Sequence, residues 1–257
     1  VIQPYINEYY LTRSEDIYCS ILPTSTQYAR NAIFAGLMPG SIQKIYPDYW
    51  LNDDEEGKKN NYEKQLLEGQ LQRAGLTSKL HYEKIFNNKM GARVLDNLSN
   101  LLRNDLIVLV YNFVDMLSHA NTDVEMIREL ASNDAAYRSL TLSWFRHSQI
   151  IELLRELSGR GIHVVLTTDH GTIRVNHPVK VVGDRTTSKN LRYKLGKNLS
   201  YNQKEVFEIT NPEKAQLPKT TVSSKFIFAV RNDFFAYPNN YNHYVKYYTN
   251  TYQHGGI

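Results

Sequence analysis

Two apolar runs, Leu106-Ile-Val-Leu-Val-Tyr111 and Ile162-His-Val-Val-Leu-Thr167, interrupt the mixed pattern of the chain. Short runs of this kind predict strands buried on both faces, as in a parallel sheet. Between them, Asp134 to Leu157 places Leu140, Trp144, Ile151 and Leu154 at helical spacing. The spacing predicts a helix that stops at Gly159 or Gly161, because glycine suits the left-handed position past a helix end. Strand, helix and strand in that order predict a βαβ unit, so the sheet is expected to be largely parallel.

Further upstream, Ile17 to Leu22 predicts a short buried strand and Pro23-Thr-Ser-Thr26 a turn. A helix is expected from Gln27 to Leu37, closed by Gly36 and the Pro39-Gly40 pair. Thr26 then lies where a strand hands over to a helix N-terminus, whose free N–H groups favour an anion such as phosphate. A helix is also expected over Tyr62 to Ala74 and a strand over Lys225 to Val230. Asp53 to Asn60 reads as a charged surface loop or helix start, and Asn232 to Tyr252 as an aromatic, loop-rich stretch.

Composition narrows the class. A chain of 257 residues with 42% apolar and 22% charged residues is globular, and one α/β domain with insertions is expected. The net charge of +4 tolerates an anionic substrate without arguing for nucleic acid. The single cysteine, Cys19, allows no internal disulfide, fits a reducing compartment, and is expected as a buried filler within its strand. No apolar run approaches the ~18 residues of a membrane span. With no leader pattern at Val1, a cytoplasmic protein is expected.

The candidate chemistry lies after the predicted strands. Asp115 and His119 follow the first apolar run, Asp169 and His170 follow the second, and His254 lies in Gln253-His-Gly-Gly256. Carboxylate oxygens and imidazole nitrogens suit zinc or manganese, and two ions suggest hydrolysis. Taken singly, Asp115 and His119 read equally as a surface ion pair, and Thr26 as a helix N-cap. Together they fall where ligands gather in parallel sheets. Arg30 and Asn31, within a turn or so of Thr26, are candidates to face a phosphate. Arg185, Arg192 and Lys194 either bind phosphate or an oligonucleotide backbone, or form a solvated basic loop. Tyr237 to Tyr244 either stacks bases or packs. His163 is expected to open its strand.

The runs Pro23-Thr-Ser-Thr-Gln-Tyr-Ala-Arg-Asn-Ala-Ile-Phe-Ala-Gly-Leu37, Asn112-Phe-Val-Asp-Met-Leu-Ser-His119, Asp169-His-Gly171, Val182-Gly-Asp-Arg185 and His254-Gly-Gly256 carry a resemblance. Over nearly its whole length the chain resembles the alkaline phosphatase superfamily, and within it the PglZ domain of PorX-type response regulators of type IX secretion. The resemblance implies a three-layer α/β sandwich with a largely parallel central sheet and helices on both faces. It makes Thr26 the nucleophile and a metal ligand, with Asp169 and His170 on the same ion. Asp115, His119 and His254 would hold the second ion. One or two zinc ions and a phosphothreonine intermediate follow from it. The superfamily's first strand, which ends in a metal-binding Asp, has no counterpart, and Asp16 is not a substitute. Residues 1–257 are therefore expected as one PglZ-like domain lacking that strand. Either the chain begins after that motif or one ion lacks a carboxylate.

Two functions follow as expectations. One is a zinc-dependent phosphodiesterase acting on a phosphodiester or oligonucleotide. The other is a zinc-stabilised signalling module, with a receiver domain in cis, a sigma factor or secretion-machinery partner, and a homodimeric state. Sulfatase chemistry is disfavoured, because Thr26-Gln-Tyr-Ala-Arg30 lacks the proline of the sulfatase maturation motif.

Overall fold

A computed structural model describes residues 1–184 and 187–257. In chain order it begins with α1 (Gln3–Ile6), α2 (Thr26–Ala35), α3 (Pro39–Ile45), α4 (Glu63–Arg73) and β1 (Leu80–Ile85). Next come α5 (Asn88–Asp96), α6 (Leu98–Leu101), β2 (Leu106–Tyr111), α7 (Phe113–Asp123), α8 (Glu125–Leu130), α9 (Asp134–Arg146) and α10 (Gln149–Ser158). The remainder holds β3 (Ile173–Arg174), β4 (His177–Val182), β5 (Tyr193–Gly196), β6 (Ser200–Tyr201), β7 (Val206–Ile209), β8 (Lys225–Ala229), β9 (Asp233–Ala236), α11 (Tyr241–Tyr248) and β10 (Tyr252–Gln253). The contacts divide these elements into two units. The first is Val1–Cys19 with Thr77–Thr167, and the second is Ser20–Leu76 with Thr168–Ile257.

In the first unit β1 and β2 pair in parallel, from Leu80 opposite Leu106 to Ile85 opposite Tyr111. Helices α5 and α6 make the crossover between them, as a parallel pair requires. Asn87 starts α5 because its Oδ1 accepts the Met90 N–H at 3.0 Å, and Asn133 starts α9 by taking the Ala136 N–H at the same distance. The core joins Ile85, Val94, Leu98, Leu101 and Leu153. Each such side chain contributes about 1.5–3 kcal/mol when fully buried.

The second unit carries three small sheets: β10–β3, the mixed β6–β4–β9, and the antiparallel β5–β8–β7. Val179 and Val181 of β4, Ile227 and Ala229 of β8, and Phe235 of β9 form a core cluster with Leu199. Helix α2 ends at Gly36, whose φ of 59° is left-handed and whose N–H bonds Ala32 O at 2.8 Å.

The fold is α/β, but the sheets are small and mixed, and a large parallel central sheet is not among the described residues. Two expected strands account for the difference. Residues 17–22 and 162–167 form no ladder, with Ile17 99% and Val165 86% exposed. An apolar run becomes a strand only when another strand takes up its backbone groups. Cys19 is accordingly exposed rather than a buried filler, and His163 opens no strand. The helix expected over 134–157 is broken. Ser148 turns extended (φ −94°, ψ 159°) and its Oγ donates to Phe145 O at 2.9 Å, closing α9 before α10 begins. The stretch 232–252 is also more ordered than expected, since β9 and α11 lie within it.

Candidate active site

Thr26 is the first residue of α2, preceded by the Pro23-Thr24-Ser25 turn in which Ser25 N–H bonds Pro23 O at 2.8 Å. Its Oγ1 lies 3.2 Å from His170 Nε2. The other ring nitrogen, Nδ1, is 3.1 Å from Gly171 O, which can only accept, so Nδ1 carries the proton and Nε2 presents its lone pair towards Thr26. Thr168 Oγ1 donates to His170 O at 2.8 Å and holds the same turn. Ser20 Oγ donates to Asp169 O at 2.6 Å. Asp169 Oδ2 sits 3.7 Å from His170 Nε2 and is buried with no hydrogen-bond partner.

The His254-Gly-Gly256 run returns to this place. The His170 and His254 rings stack with centroids 4.1 Å apart. His254 Nδ1 lies 3.1 Å from Thr24 O, the Gly255 N–H donates to Thr24 Oγ1 at 2.8 Å, and Thr24 Oγ1 donates to Gly256 O at 3.1 Å. Gly255 has φ of 115°, and a Cβ on Gly256 would collide with Ala229 O, so both glycines are dictated by the turn. Thr24, assigned no role from sequence, is thus the residue that fixes His254. The signal was present in the Pro-Thr-x-Thr run, whose first threonine mattered as well as its second.

Thr26 Oγ1, Asp169 Oδ2 and His170 Nε2 form a set of oxygen and nitrogen donors that suits zinc or manganese. The orphaned buried Asp169 oxygen fits such an ion, since burial without a partner costs about 1–3 kcal/mol or more.

Asp115 and His119 belong to the first unit. Asp115 is in the first turn of α7, directly after β2, where its charge complements the helix dipole. His119 Nε2 is 3.6 Å from Asp115 Oδ1, one turn along the same helix, and its side chain is 65% exposed.

The residues expected to contact phosphate make these bonds within the chain. Arg30 Nε donates to Glu63 Oε1 at 2.6 Å in a buried ion pair joining α2 to α4. Asn31 Nδ2 donates to Lys59 O at 3.0 Å. Arg192 is no solvated basic residue. Its Nη1 donates to Arg231 O and Asp233 O and its Nη2 to Ile257 O, while burial lowers its pKa to about 10. Lys194 Nζ is buried on Ser188 O at 3.0 Å and lies 4.8 Å from the Tyr237 ring centroid. These cations are turned inward because backbone carbonyls replace their water. Arg185 lies outside the described residues.

On α2, Tyr28 packs edge-on to Trp50, Tyr193 and Phe226 at 5.4, 5.8 and 6.1 Å between centroids. Burial raises the Asp53 carboxyl to about 6, opposed by hydrogen bonds from Tyr193 and Tyr28. Burial also pushes both phenols well above their ordinary value.

A family profile described as the BREX system PglZ alkaline phosphatase-like domain matches residues 2–257. The chain belongs to the PglZ family. Among curated proteins none matches it. An alkaline phosphatase-like PglZ domain points to phosphoesterase-type hydrolysis, in a family that usually binds metal. No described helix of this PglZ domain is long and apolar enough to cross a membrane.

Proposed function

We propose that this PglZ domain is a metal-dependent phosphoesterase with Thr26 as its nucleophile and a phosphodiester as its substrate class. The observation that carries the reading is Thr26 Oγ1 at a helix N-terminus, 3.2 Å from His170 Nε2, which is itself 3.7 Å from an orphaned Asp169 oxygen. Thr26, Asp169, His170 and His254 would hold zinc. Asp115 and His119 enter as ligands on the motif resemblance alone.

Bound zinc would supply positive charge that lowers the pKa of a coordinated hydroxyl and of water. The residues supply position. The α2 N–H groups favour the substrate's phosphate oxygens. Thr26 Oγ1 gives up its proton to solvent and attacks phosphorus, the bond to the leaving group breaks in line, and that group departs as an alcohol with a proton from solvent, giving an alkyl ester of phosphothreonine. Water then attacks that phosphorus, Thr26 regains its hydroxyl, and a phosphomonoester departs. Thr24 and Ser20 keep His254 and Asp169 in place. The resemblance to PorX-type regulators supports placing this activity in a signalling effector.

The test combines metal content with hydrolysis of bis(p-nitrophenyl) phosphate. Bound zinc and turnover lost in Thr26→Val, with unchanged circular dichroism, are expected. Full turnover in that variant would refute the threonine mechanism.

A further inference from the structure

A cavity of about 640 Å³ opens in the first unit where β1 and β2 end, beside Ile85 and Tyr111. This volume is within the range of small-molecule sites, roughly 300–1,000 Å³. Phe113 and Trp144 line one wall and stack face to face at 4.1 Å, with rings 2° from parallel. A planar ring can lie against such a wall, and the contact is tolerant of which ring it is.

Ile85 and Phe86 add further apolar wall, and the few polar groups are of a particular kind. The Tyr111 hydroxyl is buried and has no hydrogen-bond partner. Burial, and then the Glu83 charge, push this phenol up to about 12, so at neutral pH it is a donor awaiting an acceptor. Asn87 spends its Oδ1 on the α5 cap, which leaves its amide nitrogen, and Asn88 and Gln149 add amides that donate and accept. Amides of this type pair with the adenine edge through two hydrogen bonds.

Charge supplies the last element. No carboxylate is among the lining residues, the first turn of α5 has no acid, and Lys89 in that turn lines the cavity. A lysine beside the positive end of a helix is unfavourable by itself and favourable once an anion lies between them.

We propose that this cavity binds an adenine nucleoside monophosphate, with the base against Phe113 and Trp144, its edge met by Asn88, Gln149 and Tyr111, and the phosphate held by Lys89. A planar ring, a hydrogen-bonding edge and a single cation together select a base carrying one phosphate over a free aromatic or a polyphosphate. The inference does not rest on the Thr26 reading, because it concerns binding without turnover.

The test is isothermal titration calorimetry of the full chain with AMP in EDTA. Saturable 1:1 binding is expected, weakened about tenfold in Lys89→Ala through loss of a charge-assisted contact. Tyr111→Phe should weaken it several-fold, and Thr26→Val should leave it unchanged. Lys89 is exposed, so its removal spares the fold. Absence of binding at millimolar AMP would overturn the proposal, as would equal affinity in Lys89→Ala and Tyr111→Phe. Inorganic phosphate binding as tightly as AMP would overturn the base site. Loss of binding in Thr26→Val would overturn it too, by assigning AMP to the Thr26 site. Loss of phosphodiester turnover in Thr26→Val leaves this proposal standing.

Discussion

Lys194→Met isolates the cost of burying a cation in the second unit. Lys194 is 1% exposed, in a strand whose four residues are all buried. Burial lowers its pKa from 10.5 to about 7. The unfolded chain keeps the ordinary lysine value of about 10.4. Between those two values the unfolded state binds a proton that the native state has released. Unfolding free energy therefore rises with pH in this window, by up to about 1.4 kcal/mol per pH unit from this one group. Below about pH 7 the native ammonium is charged and carries its full desolvation cost. Methionine has similar length and no charge, and it forfeits the hydrogen bond to Ser188 O, worth about 1 kcal/mol, and the ammonium's contact with the Tyr237 ring, which fades as the group loses its proton. Urea unfolding of both proteins is the assay. From about pH 7.5 to about pH 9.5 the parent should gain about 2–3 kcal/mol on the variant. At pH 6.5 Lys194→Met should be at least as stable as the parent. A difference between the two that stays flat across this range would refute the argument.

Asp53→Asn reports on the opposite sign. The native carboxyl holds its proton up to about pH 6 whereas the unfolded one loses it near 4, so this group stabilises the parent as pH falls between them. Urea unfolding of parent and Asp53→Asn should diverge by about 2 kcal/mol between about pH 4 and about pH 7. Gly256→Ala places a methyl group against Ala229 O and the Arg192 guanidinium. Differential scanning calorimetry should show about 1–3 kcal/mol of lost stability, and turnover should fall as His254 is displaced. Asn133→Ala removes the α9 cap and should cost about 1 kcal/mol in thermal unfolding, with no change in metal content.

Local signals in the sequence translated well. The Gly36 stop, the α4 span and the β2 run form close to where the pattern placed them, because each rests on short-range chemistry. Thr26 at the head of α2 follows in the same way from its turn and its helix. The division of 134–157 was readable only at Ser148, a residue whose hydroxyl competes for helix carbonyls, but the apolar spacing ran straight through it.

The sequence by itself determined which residues could do chemistry and where helices begin, since capping, turns and periodicity act within a few residues. Tertiary structure decided what required a distant partner. The runs 17–22 and 162–167 have strand composition yet form no ladder among the described residues, because composition cannot supply the neighbouring backbone. Arg192 and Lys194 look like solvated cations in the sequence, and only carbonyls folded back around them show that they are interior. The meeting of Thr26 with His170, 144 residues apart, and of Thr24 with His254, 230 apart, is fixed by packing, which no local pattern encodes.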